Sequence, residues 1–493
     1  MFRAGIPPVD PTPPYLTGAL CCFIWLLSFK PSEPHLTDYL ISRGFSEDQV
    51  NSVIYPVWGY AYLALLIISF LTFGLAPNLL SYKTYLLIGV CGRVFTRLVL
   101  LFGTSVWLMI LMEVGYAMGS VAEVIFVSYA FRILPPDWYL FASSLTSACF
   151  VASHVVSGIL GDVMLQTFDV PLRVLLVISA SSVLVSAVVL LLFLPDERSL
   201  GRDATCGADR DRLLSLGGDG LTVGEETIQV DQERQSDEAT SDRPGGRGWE
   251  HRLVYLKEFF GSLRQAWRSD KFGTLSVWYF AMYGLYGIVY GYETSYYYFK
   301  TNDNTDDTLG SWNGTVLGLA LFTGTCSTIL CTTKWLSTFI GRYLLAFFFA
   351  MSALSTASLA LMVVADWPIA FAGLPVYFAA VLPAFARYNA FWGECLDEED
   401  VRAKCGGSKD GEGEDKESSP PYILLALFNG IFALAVQDFL QGVLLSALGL
   451  NMGALWVCVA AFSLVSTIFI PYTVLVRHCI HRCSSGASQN TSQ

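Results

Sequence analysis

Five carboxylates stand inside or at the ends of long apolar runs: Glu33, Glu113, Glu123, Glu293 and Asp438. An acid in a bilayer-crossing segment costs about 2.5 to 3.5 kcal/mol on insertion scales, so each must line a wet cavity or pair with a cation. Salt bridges to Arg93, Arg97 or Arg387 are the structural alternative, and three arginines cannot neutralise five acids. At about 100° per residue, Glu113, Tyr116, Ser120 and Glu123 share a helical sector of about 80°, a polar stripe with a carboxylate at each end. Tyr283, Tyr286, Tyr290 and Glu293 repeat those offsets. Tyrosines in a helical bundle commonly serve packing or the membrane interface, but three in register that end on an acid also fit a ligand wall. With Trp58 added, the chemistry these residues predict is retention of an organic cation. The acids supply charge complementarity, and the rings supply cation–π contacts of about 0.5 to 2 kcal/mol each. A dianion would instead need forked cations, a role for which only Arg97 and Arg387 are well placed.

Those residues have to be positioned by membrane-crossing helices. Apolar runs of roughly 20 residues, enough to cross a bilayer, occur near 14–30, 53–75, 84–103, 106–131, 141–166 and 172–194, and again near 273–299, 312–333, 343–364, 368–393, 422–447 and 452–476. The layout predicts an all-α integral membrane protein of major facilitator fold, with 12 transmembrane helices in two six-helix halves. The expected divisions are an N-terminal half (1–194), a disordered polar linker (195–272), a C-terminal half (273–476) with an acidic loop at 394–421, and a tail (477–493). The first apolar run follows a proline-rich lead and precedes Lys30-Pro-Ser-Glu33 rather than small residues, so it reads as a retained span and not a cleaved signal.

With both termini on one side, 23 of the 30 Lys and Arg fall on that side, 4 on the other and 3 within spans. By the positive-inside rule this places both termini in the cytoplasm. Of the 493 residues only 15% are charged, well below the quarter usual in soluble proteins, which excludes an ordinary cytosolic enzyme. The net charge of −12 disfavours nucleic acid and anionic lipid headgroups as main partners. Most of it lies in the polar linker and the acidic loop, so the total says little about the substrate. The 12 cysteines are scattered through apolar segments and read as no disulfide framework. His478, Cys479, His481 and Cys483 are too closely set for a convincing metal site and fit a juxtamembrane lipid-bearing or inert stretch better. The sequons at Asn313 and Asn490 abut a span or fall on the cytoplasmic side. Neither a metal nor a cofactor is expected.

Several stretches resemble one family. Lys30-Pro-Ser-Glu-Pro-His-Leu-Thr-Asp-Tyr-Leu40, Ile54-Tyr-Pro-Val-Trp-Gly-Tyr-Ala-Tyr-Leu63, Leu111-Met-Glu-Val-Gly-Tyr116, Ala122-Glu-Val124 and Ser128-Tyr129 are similar to the reduced folate and thiamine carriers, solute carrier family 19. Trp312-Asn-Gly314, Leu427-Phe-Asn-Gly430 and Ala435-Val-Gln437 extend the similarity into the second half. The resemblance implies a transporter. Glu123 and Gln437 stand where folate carriers have an arginine and a lysine, and both match the thiamine branch. It further implies that Glu113 and Tyr116 hold the aminopyrimidine ring of thiamine, with Glu33 and Trp58 completing the pocket. Two positions depart from the pattern: Arg97 replaces a tryptophan and Glu293 an asparagine, and a salt bridge between the two would cancel both changes.

The combined expectation is a plasma-membrane, multi-pass carrier, monomeric or weakly dimeric, that takes up thiamine or a related organic cation from Glu33, Trp58, Arg97, Glu113, Tyr116, Glu123, Tyr286, Tyr290, Glu293 and Gln437. A folate carrier is the nearest rival, followed by a nutrient sensor of the same fold without flux. An enzyme is disfavoured, because only His154 of the five histidines lies in a span and no Ser/His/Asp cluster accompanies it.

Overall fold

The computed structural model describes residues 12–490 except 77–78, 136–137, 197–255, 258, 262, 265, 266, 268, 269, 303–311, 367–368 and 407–421. Twelve segments are long and apolar enough to cross a membrane. They are α1 (Pro13–Ser42), α2 (Gln49–Leu75), α3 (Tyr82–Phe102), α4 (Val106–Ile133), α5 (Phe141–Phe168), α6 (Leu172–Phe193), α7 (Lys271–Lys300), α8 (Asn313–Thr332), α9 (Leu344–Val364), α10 (Ile369–Asn389), α11 (Ala426–Leu445) and α12 (Met452–Thr473). Successive helices run antiparallel, so the start of α1 and the ends of α6 and α12 share one end of the bundle, the near end. The outward faces keep apolar side chains such as Ile68, Leu71, Leu192 and Phe439 exposed, as a lipid-facing surface requires. Trp107 at one end and Trp335 at the other are exposed in the positions of interfacial aromatic belts.

Three of the helices are irregular where function would need it. In α1 the α-helix stops at Ser28 and resumes at Leu36, with a 3₁₀ turn over Glu33–His35 between. Pro31 and Pro34 explain the break, since neither can donate the helical hydrogen bond and each disfavours helix in the residue before it. Glu33 therefore sits on a turn inside the bundle rather than on a helical face. α2 begins with a π-helical turn (Gln49–Ile54) just before Tyr55 and Trp58, and α11 ends in another (Gly442–Ala447) just after Gln437 and Gln441. Such turns are rare and concentrate at functional sites.

At the far end, the two halves are joined by hydrogen bonds. Thr37 reaches Thr294 and Ser295 at 3.1 and 3.2 Å, and Tyr292 donates to the Asn51 carbonyl at 3.4 Å. Asp162 of α5, fully buried, accepts from the backbone N–H of Gly314 at 3.2 Å and of Thr315 at 2.6 Å. A carboxylate of one half thus caps the first turn of a helix of the other, where orphan N–H groups and the helix dipole favour a negative charge. His35 Nε2 lies 2.9 Å from the same carboxylate. The approach depends on glycine: a Cβ on Gly158 would fall 2.2 Å from the Gly314 carbonyl oxygen.

Three expectations about the polar segments meet a different structure. Part of the linker expected to be disordered is helical and packed: Phe259 and Phe260 lie between Phe70 of α2 and Phe428 of α11, at ring separations of 6.2 to 6.4 Å. The apolar residues Phe259, Phe260 and Leu263 at helical spacing supply the reason. The helix of α10 continues through the start of the expected acidic loop to Gly406, and that of α12 runs through most of the expected tail to Asn490. The rest of the linker and loop lies largely outside the described residues.

Candidate functional site

Residues from both halves line a cavity with about 830 Å³ of space free of protein atoms, its open mouth included. Eight of the ten site residues expected from the sequence line it: Glu33, Trp58, Arg97, Glu113, Tyr116, Tyr290, Glu293 and Gln437. Glu123 and Tyr286 do not. Glu123 turns from the cavity to Arg93, and Tyr286 packs in an aromatic cluster with Phe378 and Phe385, at centroid distances of 5.5 and 5.7 Å.

On the N-terminal wall Arg93 and Arg97 are each paired with a carboxylate. Arg97 Nη2 lies 2.7 Å from Glu33 Oε2, and the Tyr116 hydroxyl donates a short hydrogen bond to the other Glu33 oxygen. Lys30 Nζ donates to the Tyr116 hydroxyl at 3.1 Å. Arg93 Nη2 lies 2.7 Å from Glu123 Oε1, and its guanidinium stacks 3.8 Å from the centroid of the Tyr116 ring. Trp58 stands edge-on to the same ring at 6.4 Å and donates from Nε1 to Ser120 at 3.2 Å. Tyr116 is therefore held from every side by charge and ring contacts. The Arg97–Glu293 salt bridge that would cancel the two departures is not among the ion pairs of the described residues; Arg97 pairs instead with Glu33 on the turn in α1.

Close helix packing makes these pairs possible. Gly89 and Gly92 of α3 face Gly115 and Gly119 of α4, and a Cβ on Gly119 would fall 2.1 Å from Arg93 Nε. Small residues four apart let helix backbones approach in membranes. Here they also let the Arg93 side chain lie flat along α4 toward Glu123. The Gly115/Gly119 spacing was the signal in the sequence for this contact, and it marks Arg93 as a structural cation.

The remaining acids of the cavity wall have no ion pair among the described residues. Glu113 of α4 is 5% exposed and Glu293 of α7 is 4% exposed, and Glu293 Oε2 has no hydrogen-bond partner. The lining thus carries three carboxylates, at 33, 113 and 293, against one arginine. A buried carboxylate left unpaired is strongly unfavourable, so a cation entering the cavity would relieve it. Tyr55, Tyr292, Thr96, Thr294 and Gln441 also line the cavity and were not anticipated. Gln441 could have been found, since it follows Gln437 by one helical turn on the same face. Asp438, the fifth acid, is buried away from this lining, against Gly59 of α2, with neither oxygen hydrogen-bonded. Among the described residues no cluster of His, Cys, Asp and Glu could hold a metal.

Comparison with known proteins agrees with this architecture. Residues 14–377 match the family model "Reduced folate carrier". Folate transporter 1 of Caenorhabditis elegans is 31% identical over 185 residues, 37% of this chain and 40% of its own. The reduced folate transporter of Rattus norvegicus is 32% identical over 186 residues, 38% and 36% of the two chains. Thiamine transporter 2 of Homo sapiens is 31% identical over 183 residues, 37% and 36%. The chain thus matches about two fifths of the length of these relatives. Among solved structures, the nucleoside transporter NupG superposes with a TM-score of 0.55 at 13% identity, covering 93% of this chain and 98% of its own. A POT family transporter in complex with a thioalcohol-conjugated peptide superposes at 0.54 and 11% identity, covering 94% and 96%. These two likenesses concern the fold, which is that of the major facilitator transporters. With the family model matched across most of its length, the chain belongs to the reduced folate carrier family.

Proposed function

We propose that this protein is a plasma-membrane carrier that takes up thiamine, or a closely related organic cation, by alternating access. The observation that supports the reading is the charge of the cavity: Glu113 and Glu293 without an ion pair among the described residues, beside an arginine already ion-paired with Glu33. A folate carries two carboxylates and would meet those two acids with no free forked cation on the described wall. A thiazolium ring carries a fixed positive charge, which the unpaired acids of the lining can answer, and Trp58 and Tyr290 add aromatic faces to the same cavity. Both termini lie in the cytoplasm on the lysine and arginine distribution. The hydrogen-bonded far end is then extracellular, and the conformation is closed to the outside. The two halves would rock about the cavity to release the contacts at Thr37, Asn51 and Asp162.

Uptake of labelled thiamine and labelled folate into cells expressing the full chain tests the reading. Thiamine uptake that falls at least about tenfold in Glu113→Gln, a loss of roughly 1.4 kcal/mol of binding, is the expected result. Robust folate uptake without thiamine uptake would sink it.

A further inference from the structure

The C-terminal wall of the cavity holds two unpartnered polar atoms on different helices, one of them on an acid that already enters the cation reading. Glu293 Oε2 and Gln441 Nε2 are each buried without a hydrogen bond, in side chains that are 4% and 1% exposed, and both residues line the cavity. They belong to different helices, α7 and α11. Glu293 stands seven residues from the far end of α7 and Glu113 seven residues from the far end of α4. At 1.5 Å per residue both acids therefore lie at about the same depth, roughly 10 Å from the ends of their helices, in opposite halves. The orphans are complementary in kind: one accepts hydrogen bonds only, and the other donates.

We propose that Glu293 and Gln441 form a second recognition subsite, across the cavity from Glu113, that takes a substrate hydroxyl group. A hydroxyl is the small neutral group that answers both atoms at once, donating its O–H to Glu293 and accepting at its oxygen from the Gln441 amide. An ammonium offers no acceptor to Gln441, and a carboxylate offers no donor to Glu293. A phosphate ester of the same alcohol would set its negative charge against Glu293. The substrate class is therefore an organic cation with a free alcohol on the arm away from Glu113, and the subsite separates that alcohol from its phosphate monoester. The inference rests on the cation reading of the cavity and adds the identity of the group at the second wall.

The test uses the full chain in cells, with surface expression measured for each variant. Competition against labelled thiamine is compared for thiamine, its analogue with the hydroxyl replaced by hydrogen, and thiamine monophosphate. The wild-type protein is expected to bind the deoxy analogue and the monophosphate at least about tenfold more weakly than thiamine, the scale of a lost hydrogen bond to a buried polar group. Gln441→Leu is expected to erase the difference between thiamine and its deoxy analogue. Glu293→Gln is expected to relax the rejection of the monophosphate, while Glu113→Gln weakens all three competitors alike. Thiamine uptake with no wild-type preference for the hydroxyl overturns the subsite and leaves the cation reading standing. Absence of thiamine uptake overturns both. The wild-type analogue comparison decides the matter even if a variant fails to reach the membrane.

Discussion

The sharpest consequence at the level of single residues concerns Arg97, which is 1% exposed and tied to Glu33. Arg97→Met takes from the Glu33 carboxylate, 25% exposed, its direct ion-pair partner, a change that costs less than the about 3 to 5 kcal/mol typical of breaking a fully buried pair. The expected result is a drop in folded protein at the cell surface and a lower melting temperature in detergent. Adding Glu33→Gln to Arg97→Met should recover most of that loss, because the pair is then replaced as a unit. A double variant as unstable as Arg97→Met alone would show that the ion pair is not what holds the turn in α1. The sequence did show these two residues as candidate ligands. It did not show that they neutralise each other, since 64 positions separate them and the proline-broken turn decides where Glu33 points.

At the scale of elements, the α5–α8 contact joins the two halves at the far end. Gly158→Val would put a branched side chain onto the backbone of Gly314, where even a Cβ would come within 2.2 Å of a carbonyl oxygen. The halves should then fail to close there, and a cysteine introduced at that end should become more reactive to a membrane-impermeant thiol reagent. Asp162→Ala removes the cap from two N–H groups of α8 and also frees His35. Loss of a helix cap is worth about 0.5 to 2 kcal/mol, enough to move the conformational balance several-fold. The same reagent should report a shift in the same direction, and unchanged labelling in both variants would remove this contact from the gating of the cavity. Gly158 and Gly314 were visible in the sequence only as two of 42 glycines. Their meeting requires that the two halves be placed against one another.

For the whole molecule, the relevant quantity is the charge moved with the substrate. An inside-negative potential contributes about 2.3 kcal/mol per elementary charge per 100 mV. Purified protein in liposomes under a potassium diffusion potential of about 100 mV should therefore accumulate a monovalent cation roughly 50-fold, without a coupled ion. Reversing the potential should reverse the accumulation. Accumulation driven by an inside-positive potential would mean that net negative charge travels inward, against the balance of acids on the cavity wall.

The sequence by itself determined the membrane architecture and the inventory of unusual residues. Twelve apolar runs dictate twelve crossing helices, because backbone polar groups in lipid must be satisfied within the segment, and an acid in such a run is conspicuous. The family was legible in local stretches such as Lys30–Leu40 and Leu111–Tyr116, where side-chain order is itself the signal. Tertiary structure alone decided which charges cancel. Helical periodicity placed Glu113 and Glu123 on one stripe, yet Glu123 belongs to Arg93 of the neighbouring helix and Glu113 to the cavity. The same holds for Tyr290, which lines the cavity, and Tyr286, which does not. The physical reason is that a helix fixes only the angle between its own residues. Its rotation and depth against its neighbours are set by packing, here by glycines 89, 92, 115 and 119 between α3 and α4 and by the prolines that break α1. Those contacts turn five suspect acids into two paired ones, one buried apart at Asp438, and two that wait on the cavity wall for a partner.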